Sequence, residues 1–201
     1  MSDWEATLSP LMRERLAKIG DITPEEKELA REQDTLDTIL SEFHKGDIDS
    51  DVLGSKLKEL KTQGKKAITR SALIKLTNSL TLQTSTEDFR RRREAILVTA
   101  KLRSSQHASK IELSLNTLEG LQKRYAEEYQ QTHDSVKAQI ERNPQLRMEQ
   151  VKQGRNTAIM ELSVDEAIKR NPQWREFVAH HDRRYGQAFS EALQNLQMQL
   201  G

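Results

Sequence analysis

The chain of 201 residues contains no cysteine and few residues that interrupt helices. Without cysteine, disulfide bonds, thiolate metal ligands and a cysteine nucleophile are all excluded. Only 8 glycines and 4 prolines occur, whereas Leu, Ala, Glu, Lys, Arg and Gln, which favour helix, are abundant. The composition therefore predicts an all-α protein.

Aromatic residues and net charge are also scarce. Aromatic residues make up 4% of the chain and apolar residues 35%, while 32 basic residues nearly balance 31 acidic ones. Disordered chains of such low apolar content usually carry a large net charge, so we expect an ordered, elongated helical molecule. A net charge of +1 creates no long-range field that would attract nucleic acid or an anionic membrane.

Long apolar runs are missing as well. No window approaches the ~20 apolar residues that cross a bilayer, and the N-terminus lacks the basic start and apolar run of a signal peptide. The sequence thus predicts a cytoplasmic protein with no membrane partner. No residue pattern indicates a cofactor.

Residues 1–83 are predicted to form short helices separated by turn residues. The clearest start is at Thr23, which can act as an N-cap and is followed by Pro24 at the first helical position. Apolar residues recur at spacings of three and four in each segment, so each helix buries one face. The predicted helices cover residues 4–19, 23–46, 50–62 and 65–82.

Residues 84–143 are predicted to form one long helix. The stretch from Glu87 to Arg142 has no proline and a single glycine, and it would be on the order of 80 Å long. Apolar residues within it follow the heptad spacing of a coiled-coil seam, which fits either a parallel dimer or a short helical hairpin or bundle. Four residues of the seam are candidate interface residues, with burial in the chain's own bundle as the alternative: Leu115, Leu118, Tyr125 and Tyr129.

One phrase occurs twice around the start of region 144–201. SVKAQIERNPQLR begins at Ser135, and SVDEAIKRNPQWR begins at Ser163. The residue before proline avoids the α region, and proline is tolerated in a first helical turn, so Asn143 and Asn171 are each predicted to end one helix and cap the next. Each RNPQ is therefore a predicted corner. Four arginines of the two copies are left without a structural role: Arg142, Arg147, Arg170 and Arg175.

The last predicted helix carries the widest apolar stripe, from Trp174 to Leu200. We expect it to fold back on the long helix and form the packed core. The predicted fold is an all-α, elongated helical bundle or coiled-coil-like rod with helices folding back on it. Its predicted regions are 1–83, 84–143 and 144–201.

Four consecutive arginines are the sharpest charged feature. Successive residues on a helix differ by ~100°, so their side chains point to different sides. They could contact phosphates in a nucleic-acid-binding protein, but a solvated helix start is the favoured interpretation. These candidate phosphate contacts are Arg90, Arg91, Arg92 and Arg93.

His180 and His181 are adjacent, which is not the spacing of metal ligands on a helix. We therefore predict no metal site, and we expect His181 to be a core or interface histidine with one ring nitrogen hydrogen-bonded. The sequence contains no phosphate-binding glycine loop and no nucleophile elbow. No catalytic residue is predicted.

These patterns favour a non-enzymatic interaction or scaffold protein. It would act through oligomerisation or by binding a partner helix, so a protein partner or self-association is expected. A nucleic-acid-associated protein that uses residues 90–93 is the alternative, and an enzyme ranks third.

Overall fold

The computed structural model describes residues 23–65, 67–153 and 156–200. This part of the chain forms seven α-helices and one two-stranded sheet, which confirms the prediction of an all-α helical bundle. The helix predicted over residues 4–19 lies outside the described residues. In chain order the elements are α1 (Pro24–Lys45), α2 (Ser50–Thr62), α3 (Ile68–Asn78), α4 (Thr86–Lys101), α5 (Ser105–Arg142), a 3₁₀ turn (Pro144–Arg147), β1 (Met148–Gln153), β2 (Asn156–Glu161), α6 (Val164–Arg170) and α7 (Pro172–Met198).

The first helix begins and ends as its local sequence predicts. Thr23 accepts a hydrogen bond from the Glu26 amide, and the Glu26 carboxylate accepts one from the Thr23 amide, so a complete capping box opens α1. Gly46 ends α1 with φ at 87°, a left-handed conformation that glycine adopts without strain.

The prediction of one helix from Glu87 to Arg142 is wrong, because the chain turns at residues 102–104 between α4 and α5. Ser104 caps α5 by accepting a hydrogen bond from the His107 amide at 3.1 Å. Arg103 donates to the carbonyl oxygen of Leu200 at 2.6 Å, which ties this turn to the chain beyond α7. Helix α5 has 38 residues and is therefore ~57 Å long.

Helices α5 and α7 run antiparallel to each other. Ser114 near the start of α5 hydrogen-bonds to Gln199 just beyond α7 at 3.2 Å. Farther along α5, the His133 ring lies 5.4 Å from the Trp174 ring, between centroids, near the start of α7. The predicted folding back of the last helix is thus observed.

Two apolar cores lie along this helix pair. The main core combines α1 to α4 with the first half of α5 and the second half of α7. Helices of the predicted region 1–83 therefore share one core with the two other regions. The second core lies at the opposite end of the pair and contains Ile140, Leu162, Ala167, Ile168 and Trp174.

Helices α2 and α4 pack closely at Gly54. A Cβ atom added to Gly54 would lie 2.3 Å from the Cγ1 atom of Val98, well inside the ~3.5–4.0 Å at which carbon atoms attract. The absence of a side chain at Gly54 therefore sets the separation of the two helices.

A β-hairpin separates the two corners, where the sequence analysis expected helices alone. Its strands pair antiparallel, with Met148 opposite Glu161 and Gln150 opposite Ile159. Because successive side chains of a strand alternate between faces, Met148 and Ile159 lie on one face and Met160 lies on the other.

The described residues include no helix long and apolar enough to cross a membrane.

Candidate interaction surface at the hairpin end

Three of the four consecutive arginines of α4 contact other helices, each a different one. Arg91 donates to the carbonyl oxygen of His44 at the end of α1 at 3.0 Å, and its guanidinium lies 5.1 Å from the centre of the Phe43 ring. Arg92 donates to the carbonyl oxygen of Ser79 at the end of α3. Since the last carbonyls of a helix lack partners within that helix, both arginines stabilise helix ends.

Arg93 contacts α5 instead. Its guanidinium donates to Asn116 at 2.8 Å and to Glu112 at 3.3 Å. Arg90 is the exposed member of the run and pairs with Glu94 on its own helix at 3.3 Å. Three of the four candidate phosphate contacts thus hold the bundle together, and no observation in the described residues favours nucleic-acid binding.

The four candidate interface residues lie inside the single chain rather than on an open seam. Leu115 and Leu118 are completely buried in the main core, so neither is available to a partner. Tyr125 and Tyr129 are half-buried and pack against α7. For Leu115 and Leu118 the interface interpretation is therefore corrected, because α4 and α7 of the same chain pack on α5.

An aromatic layer joins the two cores at the middle of the α5–α7 pair. The imidazole of His181 stacks on the Tyr125 ring at 4.5 Å and also contacts the rings of Tyr185 and Phe177 at 4.8 and 5.0 Å, between centroids. The His181 residue is only 2% exposed. Its burial agrees with its place on the predicted apolar stripe.

The hydrogen bond expected at one ring nitrogen of His181 is not observed. Neither ring nitrogen has a hydrogen-bond partner among the residues that the structure describes. The nearest carboxylate oxygens belong to Glu128, 3.8 Å from Nε2, and to Asp182, 3.9 Å from Nδ1. Burying unpaired polar atoms costs free energy, so His181 is retained at a cost to stability.

The carboxylates beside His181 are held by the tyrosines of the layer. Tyr125 donates to Asp182 at 2.9 Å, and burial together with this hydrogen bond raises the pKa of Tyr125 to about 12. Hydrogen bonds from Tyr185 and Arg184 lower the pKa of Glu128. These contacts fix α5 against α7, because each of them joins a side chain of one helix to a side chain of the other.

The duplicated phrase forms two corners, as predicted. Asn143 ends α5, and its side chain accepts a hydrogen bond from the Gln145 amide at 3.3 Å. Asn171 ends α6 and caps α7 by accepting from the Trp174 amide at 3.0 Å. The two corners precede and follow the β-hairpin in the chain.

Two arginines of the phrase hold the base of that hairpin. Arg147, from the first copy, pairs with Glu161 at 2.9 Å and donates to the carbonyl oxygen of Leu162 at 2.9 Å. Arg170, from the second copy, pairs with Glu149 on β1. The residue pattern indicated no role for these two arginines. In the structure both contact the hairpin, an element that the pattern did not predict.

The hairpin end of the molecule exposes four large apolar side chains, of which Met148 and Ile159 lie on one face of the sheet and Met160 lies on the other. Ile159 is 71% exposed, and the others are between 45% and 50% exposed. We call these residues the hairpin patch: Leu146, Met148, Ile159 and Met160. The sequence did contain a signal for the hairpin, since only two residues, one of them Gly154, separate the strands; such a gap is typical of a tight β-turn.

No group of three His, Asp or Glu side chains in the described ranges is arranged to hold a metal ion. A protein family described as a family of unknown function (DUF6657) matches residues 54–198, from α2 to the end of α7. No curated protein and no solved structure matches the chain.

Proposed function

Because the chain belongs to the DUF6657 family, whose description assigns no activity, we propose from its geometry alone that it is a non-enzymatic interaction protein that self-associates through the β-hairpin. The exposed hairpin patch on a two-stranded sheet carries this proposal. Met148 and Ile159 share one face of this sheet, and large exposed apolar side chains that lie together commonly mark an interaction site.

The backbone of the hairpin supports strand pairing with another chain. In a two-stranded sheet each strand has one unpaired edge of N–H and C=O groups, and such edges are templates for a further strand. A single hairpin is also marginally stable in water, and β1 and β2 contact each other far more than they contact the helices. Extending the sheet would therefore stabilise the hairpin as well as join two chains.

Strand β2 is the better edge for pairing with a second copy. Its sequence, NTAIME, has no proline and no lysine, the residues that usually block an edge. Its one charged residue, Glu161, already pairs with Arg147. In a two-fold antiparallel arrangement centred on Ile159, the same side chain from each copy would face its equivalent, so two exposed isoleucines would be buried together.

Molar mass in solution tests this proposal. Light scattering with size exclusion, from about 10 µM to about 1 mM, should show the mass rising towards twice the 23.2 kDa of one chain, since an interface this small binds weakly. Ile159→Lys should keep the protein monomeric throughout that range.

A matched control distinguishes the hairpin from general surface hydrophobicity. Leu113 on α5 is 70% exposed, nearly as much as Ile159 at 71%, so Leu113→Lys should associate like the unmodified protein. A monomer at every concentration, or equal loss of association in both variants, would remove the proposal.

A further inference from the structure

A groove beside Trp174 lies between α5, α6 and α7. Its two adjoining parts have volumes of about 300 and about 200 Å³ and share Tyr129, Lys169 and Trp174. The rings of Tyr129 and Trp174 meet edge to face with centroids 5.1 Å apart. Together they give the groove an aromatic lining.

Two cations flank this lining. Lys169, near the end of α6, and Arg175, in the first turn of α7, line the larger part of the groove and are both exposed. Neither has a carboxylate oxygen of a described residue within 4.0 Å. Lys169 also has a weaker electrostatic interaction with Glu166.

Comparison of the two copies of the duplicated phrase shows that Arg175 lacks the contacts that its equivalent, Arg147, makes with described residues. Arg175 ends the second copy at the position that Arg147 holds in the first. Arg147 is occupied by Glu161 and by the carbonyl oxygen of Leu162. Arg175 makes no equivalent contact with the described residues, so the same position serves the hairpin in one copy and the groove in the other.

The lining also offers hydrogen-bond donors. The indole N–H of Trp174 and the hydroxyl of Tyr129 form no hydrogen bond with any described residue, although Trp174 is only 6% exposed. Both donors are therefore available to an oxygen acceptor that a ligand supplies.

We infer that this groove binds an acidic peptide segment of a partner protein. Lys169 and Arg175 would attract its carboxylates, the indole N–H would donate to an oxygen acceptor, and the aromatic lining would cover an apolar side chain. One carboxylate, Asp165, lines the smaller part together with His133, so the acidic residues fit the larger part. This inference does not depend on self-association through the hairpin.

Fluorescence of Trp174 provides the test. The chain has two tryptophans, so in a Trp4→Phe background the signal comes from Trp174 alone. A peptide of Glu-Glu-Leu repeats should change this signal on titration at low salt, and the change should weaken as salt rises. A Gln-Gln-Leu peptide of the same length should bind at least about tenfold more weakly, because it keeps the apolar residues and lacks the charge.

Charge-reversed variants locate the binding. Lys169→Glu with Arg175→Glu should lower the affinity by roughly tenfold or more. The control variant, Lys58→Glu with Lys110→Glu, changes the net charge by the same amount at exposed residues of α2 and early α5. It should leave the affinity for the acidic peptide within about twofold of the unmodified protein. The thermal midpoints of these variants should be compared with that of the unmodified protein, to show that each variant is folded. Ile159→Lys should bind the peptide as tightly as the unmodified protein, because it changes the hairpin and not the groove.

Three results would overturn the inference. These are failure of the acidic peptide to bind below about 1 mM, equal loss in the two charge-reversed pairs, and tighter binding of a single-stranded oligonucleotide than of the peptide. The last would assign the groove to nucleic acid.

Discussion

Replacing His181 tests whether its imidazole serves packing or polar contact. Phenylalanine would keep the ring contacts with Tyr125 and Tyr185 and would remove two buried nitrogens that no described residue hydrogen-bonds. Such a group costs ~1–3 kcal/mol when buried, and a new ring of similar shape costs less than ~1.5 kcal/mol to fit. A neighbouring cavity of about 230 Å³, lined by His181 itself, leaves room for the additional ring atom.

His181→Phe should therefore raise the free energy of unfolding by up to about 2 kcal/mol or leave it unchanged. His181→Ala should lower it by about 2–4 kcal/mol, because it removes the ring and leaves a cavity. Urea unfolding followed by circular dichroism at 222 nm measures both values, with the slope of the transition checked for constancy.

His180 provides the control for this pair. It is exposed and directly precedes His181 on α7, so His180→Phe should change stability by no more than about 0.5 kcal/mol. The reasoning fails if His181→Phe destabilises the protein by more than about 1.5 kcal/mol. That result would mean that the imidazole interacts favourably with Glu128 and Asp182 despite the distances of 3.8 and 3.9 Å.

Three more predictions concern packing, ionisation and the hairpin base. Gly54→Ala should destabilise the protein by up to about 2 kcal/mol, since overlap with Val98 costs ~1–3 kcal/mol against ~1 kcal/mol gained in helix propensity. In urea unfolding, an added Val98→Ala should relieve this destabilisation, whereas simple additivity of the two substitutions would contradict the contact. Burial raises the pKa of Tyr125 from 10.0 to about 12, so the contribution of its hydroxyl to stability is complete below pH 10 and is lost as pH rises towards 12. In thermal melts across this pH range, the melting temperature of Tyr125→Phe should therefore fall less than that of the unmodified protein. Arg147→Gln should speed amide hydrogen exchange in residues 148–161 by roughly tenfold and should leave exchange in α1 to α4 unchanged. Equal exchange rates of residues 148–161 in the variant and the unmodified protein would contradict the role of Arg147 at the hairpin base.

The heptad spacing on α5 identified the buried face of that helix but not what covers it. Leu115 and Leu118 follow the coiled-coil spacing, yet they are buried in the main core, where α5 packs on α4 and α7 of the same chain. The same spacing is compatible with a partner helix from any source. The turn at residues 102–104 determines which helix covers this face. That turn is stabilised in part by the hydrogen bond from Arg103 to the carbonyl oxygen of Leu200, a residue distant in the sequence.

The four arginines of α4 show a similar division. The sequence predicted correctly that successive side chains would point in different directions around the helix. It could not show that the carbonyl oxygens of His44 and Ser79 lie within reach of Arg91 and Arg92. A run of charge looks the same in a sequence whether it faces solvent or the ends of other helices.

By itself the sequence determined the features that depend on neighbours within a few residues. Thr23, Ser163, Asn143 and Asn171 each cap an element by bonding an amide two or three positions away, so their roles follow from local chemistry. The tertiary structure alone decided the assembly of residues distant in the sequence, such as Arg170 with Glu149 and Tyr129 with Trp174. The physical reason is that capping geometry is set by the backbone of one turn, whereas the hairpin base and the aromatic groove exist only after α5 and α7 have folded together.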